Sequence, residues 1–226
     1  MSVTDKIREY RDLVPADVEI VAVSKFHPAE MILEAYEAGQ RLFGESRVQE
    51  LLQKQETLPQ EISGDIKWHF IGHLQTNKVK QLVGRVALIE SVDSERLLRL
   101  IDKESQRAGV ITEVLLQVHV AMEEQKFGFY PQELREFLAE GRYKDFPNVK
   151  IRGLMGMASN VESEERVAKD FCTLHQLYEE VKATYFGDDP GFDKLSMGMS
   201  GDWPLAVEEG ATLIRVGSAI FGERHY

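Results

Sequence analysis

Eight short apolar runs recur along the 226 residues of this chain, each separated from the next by a stretch of helical period, and that alternation constrains the fold more than any other feature. The runs span 19–25, 41–45, 67–72, 86–91, 113–120, 150–157, 194–199 and 213–217. Several are rich in Val, Ile, Leu or Ala, as strands buried on both faces require. Helical patterns lie near 28–38, 47–57, 76–83, 94–108, 131–140, 162–185 and 203–209. Ser94-Glu95 and Ser163-Glu164 have the form of caps, and Pro28 and Pro131 suit first turns. Strands alternating with helices make a parallel sheet, and eight such units predict an α/β fold of the (β/α)8 TIM-type barrel, here with an extra N-terminal helix near 3–13. An open doubly wound sheet is the alternative, because sequence period does not show closure. No Pro/Gly/Ser-rich linker interrupts the series, so residues 1–226 are read as a single domain.

In either architecture the chemistry belongs at the carboxyl ends of the strands. The first run, Glu19-Ile20-Val21-Ala22-Val23-Ser24-Lys25, ends there on a lysine. A partly desolvated amine loses its proton more readily and forms a Schiff base with an aldehyde, either a sugar carbonyl or pyridoxal phosphate. The plainer alternative is a surface lysine after the first strand. Barrels commonly cradle a phosphate on the loops after strands seven and eight. The segments expected there are Ser196-Met197-Gly198-Met199-Ser200-Gly201-Asp202 and Arg215-Val216-Gly217-Ser218-Ala219-Ile220-Phe221-Gly222. Their small and hydroxyl residues offer neutral donors to a phosphate, although glycines at turns would look the same. Arg215 lies two positions before Gly217, so on a strand both point to one side. It either pairs with Glu90 or Asp93 as a structural arginine or donates to the ring nitrogen of a pyridine cofactor. In the second case the nitrogen stays unprotonated and the ring is a weak electron sink, unsuited to transamination.

Other chemistries have less support. Lys and Arg total 27 against 38 Asp and Glu, and the formal charge of −11 disfavours nucleic acid and anionic lipid as partners. His69, Ile71 and His73 would share a strand face, with His119 elsewhere, but no carboxylate or cysteine stands at ligand spacing, so no metal is expected. Cys172 is the single cysteine and reads as a buried thiol in a reducing compartment. The acidic stretch from Glu162 to Glu180 reads as a solvent-facing helix with Val167, Phe171, Leu174 and Leu177 inward. The sequence has no apolar signal core and no stretch of membrane-span length, so a cytoplasmic location is expected.

The lysine and the two glycine segments also carry a likeness. With Phe43-Gly44-Glu45, Val48-Gln49-Glu50, Trp68 to Gln75, Asn77-Lys78 and Gly153-Leu154-Met155-Gly156-Met157, the chain resembles the pyridoxal phosphate homeostasis protein family, which shares the barrel of the alanine racemase N-terminal domain. The resemblance implies pyridoxal 5'-phosphate as cofactor, held by Lys25 as an internal aldimine, with Arg215 facing the ring nitrogen and Ser200, Gly217 and Ser218 on the phosphate. Met155 and Met157 would line the ring, or else pack the core. Two positions depart from the family pattern: Ser46 stands where asparagine is usual, and His119 likewise. Ser46 keeps one hydroxyl near the cofactor with less reach. His119 is either a titratable group beside the ring or a satisfied core histidine. The segment Glu123 to Gly128 is a solvated loop that, by the likeness, borders the pocket mouth, where Lys126 could attract an anion.

A racemase needs acid-base groups on both faces of the substrate carbon. In the racemases this barrel resembles, the second is a tyrosine from a further C-terminal β domain, and with the sequence running only to Tyr226 no such domain is expected here. The expectation is therefore a non-enzymatic carrier of pyridoxal phosphate in vitamin B6 and amino-acid homeostasis, a monomer, with apo pyridoxal phosphate enzymes as acceptors. The alternatives are a racemase or lyase of low activity using the same cofactor, and a class I aldolase-type barrel in which Lys25 attacks a sugar phosphate.

Overall fold

All eight runs become strands in the computed structural model, which describes residues 2–222. They are β1 (Glu19–Val23), β2 (Leu42–Glu45), β3 (Lys67–Phe70), β4 (Leu88–Val92), β5 (Thr112–Val118), β6 (Val149–Gly156), β7 (Lys194–Met199) and β8 (Leu213–Val216). Every neighbouring pair is parallel, and β8 closes on β1 with Val21 opposite Arg215, so the sheet is a barrel and the open doubly wound alternative falls. The helices are α1 (Val3–Leu13), α2 (Ala29–Glu37), α3 (Val48–Thr57), α4 (Gln60–Asp65), α5 (Val79–Leu82), α6 (Glu95–Ala108), α7 (Pro131–Ala139), α8 (Glu164–Tyr185), α9 (Trp203–Glu208) and α10 (Ser218–Phe221).

Local chemistry explains the boundaries. Ser2 and Asp5 form a capping box on α1, and the Ser94 and Ser163 hydroxyls accept from the backbones of Leu97 and Arg166 at the starts of α6 and α8. Gly109 takes the left-handed conformation that ends α6. Pro131 opens α7 in its first turn, whereas Pro28 sits one position outside α2 as its cap. Strand alternation then sorts the side chains. Ala22, Phe43, Phe70, Ile89, Leu116, Leu154 and Ile214 face outward and join Ile32, Leu51, Leu98 and Phe171 of the helices in one large core. Burial of each large member contributes roughly 2 kcal/mol. The inward positions are different in character. Leu88, Leu115 and Met155 make a small separate cluster, and around it lie the buried polar side chains His69, Glu90, Gln117, Ser196 and Arg215.

At the amino ends of the strands, ion pairs tie the barrel's lower rim: Lys194 with Glu19, and Arg152 with both Glu113 and Asp193. On α8 the inward residues include Val167, Phe171, Leu174 and Leu177, as the pattern predicts, together with Asp170, which accepts from the Ser159 amide and hydroxyl. Cys172 corrects the expectation of a buried thiol: it is half-buried on α8, next to Gln176. Among the described residues, no helix is long and apolar enough to cross a membrane.

Candidate functional site

Lys25 is the second residue of a turn that follows β1, closed by the His27 amide donating to the Ser24 carbonyl at 3.0 Å. Phe26, the third, has φ +68°, the left-handed conformation that such turns normally give to glycine. Helix α3 restrains it from behind. The Phe26 amide donates to Glu50, and the Arg47 guanidinium lies 4.8 Å from the centre of its ring. Glu50 pairs at 2.7 Å with Lys54, one turn later on α3, and Lys54 donates to the Ser24 carbonyl at 2.8 Å and reaches Glu45 Oε1 at 2.6 Å. The Ser24 hydroxyl donates to the same Glu45 oxygen at 2.7 Å. Glu45 ends β2 facing outward under α3 and is fully buried. Burial pushes its carboxyl up to about 7, against the pull of Lys54 and Ser24. Its Oε2 has no hydrogen-bond partner among the described residues.

Lys25, Met157, Ser200, Arg215, Gly217 and Ser218 line one cavity of about 240 Å³ at the carboxyl mouth of the barrel. The structure therefore brings together six of the eight residues expected from the sequence. The Gly217 amide donates to the Ser200 hydroxyl at 3.2 Å, which joins the two glycine segments into one wall. Gly198 lets β7 turn closely past α9: its φ is +89°, and a Cβ there would stand 2.5 Å from that of Ala206. Gly198→Ala is expected to cost about 2 kcal/mol or more in urea unfolding, since it both strains the backbone and overpacks the helix contact.

The other two expected residues lie elsewhere. Met155 points inward one layer below Met157 and packs on Leu88 and Leu115, so alternation gives it the right face at the wrong depth. Ser46 lines a neighbouring cavity with Arg47, Phe70 and Lys78, and its backbone occupies the space that a Cβ on Gly72 would need, 2.2 Å from the Ser46 carbonyl. His119 is a satisfied histidine: it is buried, its Nε2 donates to the Glu123 carbonyl at 2.9 Å, and its ring lies 4.9 Å from that of Tyr130. Lys126 donates to the Ala158 carbonyl and pairs with Glu123. His69 and His73 bond separately, to Glu90 and Asp93. The cavity also holds His27, which stacks on Phe221 at 5.4 Å. Its spacing of two from Lys25 was the one sequence signal that could have found it.

Arg215 makes the structural contacts that the sequence allowed and also reaches the cavity. It is buried, its Nη1 donates to the Ser196 hydroxyl and lies 3.7 Å from Glu90, its Nη2 donates to the Gly156 carbonyl at 3.1 Å, and it still borders the cavity. The donor set is thus asymmetric. An amine and a permanently charged guanidinium accompany a thioether flank and neutral hydroxyls on a glycine wall, which fits a small flat aldehyde bearing an anionic group.

The chain is similar to known proteins over nearly its whole length. The profile of the family described as "Alanine racemase, N-terminal domain" matches residues 2–225. The "Pyridoxal phosphate homeostasis protein" of Aquifex aeolicus is 42% identical over 208 residues, which are 92% of this chain and 88% of that protein. Among solved structures, PipY of Synechococcus elongatus without PLP superposes with a TM-score of 0.90 at 38% identity, over 98% of this chain and 100% of that one. The same protein with PLP bound gives 0.85 at 37%, over the same shares.

Proposed function

We propose, because the chain belongs to the pyridoxal phosphate homeostasis protein family, that it is a non-enzymatic carrier holding pyridoxal 5'-phosphate on Lys25 and releasing it within the cytoplasm. The observation that carries this reading is the convergence of Lys25, Arg215, Ser200 and Ser218 on one cavity from strands at opposite ends of the chain. The cofactor, when bound, supplies an aldehyde that condenses with a primary amine. The protein's own residues do the rest. Lys25 is the nucleophile, the Ser200 and Ser218 hydroxyls and the Gly217 segment receive the phosphate, Met157 flanks the ring, and Arg215 donates to the ring nitrogen. Because arginine keeps its proton, that nitrogen stays an acceptor, which weakens the ring as an electron sink and favours holding over turnover. Apo enzymes that use the cofactor are the acceptors this reading implies.

A low-activity racemase is the second reading, and His27 is the observation in its favour, as an acid-base group lining the same cavity as Lys25. One experiment separates the two. Pyridoxal phosphate is titrated into the purified protein while its visible spectrum is recorded, and the loaded protein is then incubated with amino acids in deuterium oxide. A saturable visible band with no deuterium at the α-carbon is expected. Deuterium incorporation would make the chain an enzyme, and the absence of a band would remove the cofactor assignment.

A further inference from the structure

Inside the barrel, a line of four polar side chains runs upward from the end opposite the cofactor pocket. His69 on β3 is buried and borders a cavity of about 150 Å³ at the lower rim, beside Glu113, Arg152 and Lys194. Its Nδ1 meets Glu90 Oε1 on β4 at 2.7 Å, and because a carboxylate only accepts, His69 is the donor. The Ser196 hydroxyl on β7 donates to the other Glu90 oxygen at 2.6 Å. The same Ser196 oxygen accepts from Arg215 Nη1 on β8. Four strands thus contribute one member each, and the upper end of the line is a wall of the pocket.

Such a line carries a cost that a core of leucines would not, since a buried charge without its partners is strongly destabilising. Although burial alone would raise the Glu90 carboxyl, the bonds from His69 and Ser196 and the charge of Arg215 outweigh it and hold the group below its ordinary range. Glu90 is therefore a carboxylate whose two oxygens are committed to different strands. An arginine on a barrel wall has rotamer freedom. Here Ser196, backed by Glu90, occupies one terminal nitrogen and the Gly156 carbonyl the other, and this leaves the guanidinium plane fixed.

We propose that Glu90 and Ser196 are positioning residues that fix the Arg215 guanidinium toward the ring nitrogen of the bound cofactor, with His69 as the anchor at the far end. The inference rests on the pyridoxal phosphate reading. It assigns the polar barrel interior to cofactor affinity and colour, neither of which a merely structural network would move.

The test compares the unmutated protein with Ser196→Ala, Glu90→Gln and Arg215→Lys, and with Ser196→Ala combined with Arg215→Lys. Each is titrated with pyridoxal phosphate, with the dissociation constant and the position of the visible band read together. Ser196→Ala and Glu90→Gln are expected to weaken binding about tenfold, as loss of a hydrogen bond to a charged group does, and to displace the band. In the Arg215→Lys background the loss from Ser196→Ala should shrink to less than about twofold, because an ammonium cannot use the same fork. Should Glu90→Gln fail to fold, Ser196→Ala decides, since it removes a single hydroxyl. An unchanged band and affinity in Ser196→Ala, or a loss that persists in full beside Arg215→Lys, overturns the positioning role. A lack of any Lys25-dependent band in the unmutated protein overturns the cofactor reading itself, and so the two failures are distinct.

Discussion

Lys25→Ala is expected to fold as the parent does and yet to lose the visible band that the parent develops with pyridoxal phosphate. The side chain is only part-buried, at the mouth of the barrel, so its removal should change unfolding free energy by less than about 1 kcal/mol. Its amine, however, is the one proposed to bond the cofactor. Without it the protein retains the phosphate wall and Arg215 but no covalent link, and affinity should fall on the order of a hundredfold or more. Gel filtration followed by phosphate analysis, with and without borohydride reduction, measures this directly. The parent should carry reduced cofactor through the column and the variant should not. A band that survives in Lys25→Ala would move the covalent role to another amine.

The second large effect concerns stability and its pH dependence. In the unfolded chain the Glu45 carboxyl has its ordinary value near 4.5, and in the fold it is pushed up to about 7. Between those values the folded state holds a proton that the unfolded state has released. The contribution of Glu45 is thus fully present below about pH 4.5, is lost as pH rises to about 7, and is level above, a difference on the order of 3 kcal/mol. Glu90 works in the opposite sense. Held below its ordinary range, it contributes stability above that range which is lost on acidification. Urea unfolding of Glu45→Gln between pH 5 and 8 should therefore show a flatter profile than the parent. Lys54→Met strips Glu45 of its 2.6 Å counter-charge and should cost about 3–5 kcal/mol at pH 8. At pH 5 the loss should be clearly smaller, because a protonated Glu45 needs no cation. Equal losses at both pH values would mean that Glu45 is ionised throughout.

The role of Lys25 is legible in the sequence, whereas the burial of Glu45 against Lys54 is not. Glu45 and Lys54 are single charges beside apolar neighbours, and charged residues on a helix are ordinarily solvated. Only the approach of α3 to the end of β2 converts them into a buried pair. The strands were legible because apolar runs of four to eight residues between helical patterns have few other destinations. Helix α4 was not, as Gln60–Asp65 is short, polar and contains Gly64, and α10 lay concealed in a segment read for its glycines. Alternation placed Met155 and Met157 on the same face but could not say which reached the pocket, since depth along a barrel depends on stagger between strands. For Arg215 the sequence leaves a structural pairing and a place at the site as alternatives, and only the folded strands show that one guanidinium meets Ser196 and Gly156 while lining the cavity.

The pairing of β8 with β1 also bears on how the molecule comes into being. Lys25 and Arg215 stand 190 positions apart in the chain, and they share a wall only because Val21 and Arg215 fall into register. Contacts of such sequence separation pay a large loop-closure entropy before they return any stabilisation, so this seam belongs among the late events of folding. A nascent chain short of β8 lacks Arg215 and the Gly217-Ser218 side of the wall, so the cavity is complete only once that strand is in place. On the pyridoxal phosphate reading proposed above, capture of the cofactor would report that the last strand has docked, and a ligand that binds only the finished barrel would pull the folding equilibrium toward it.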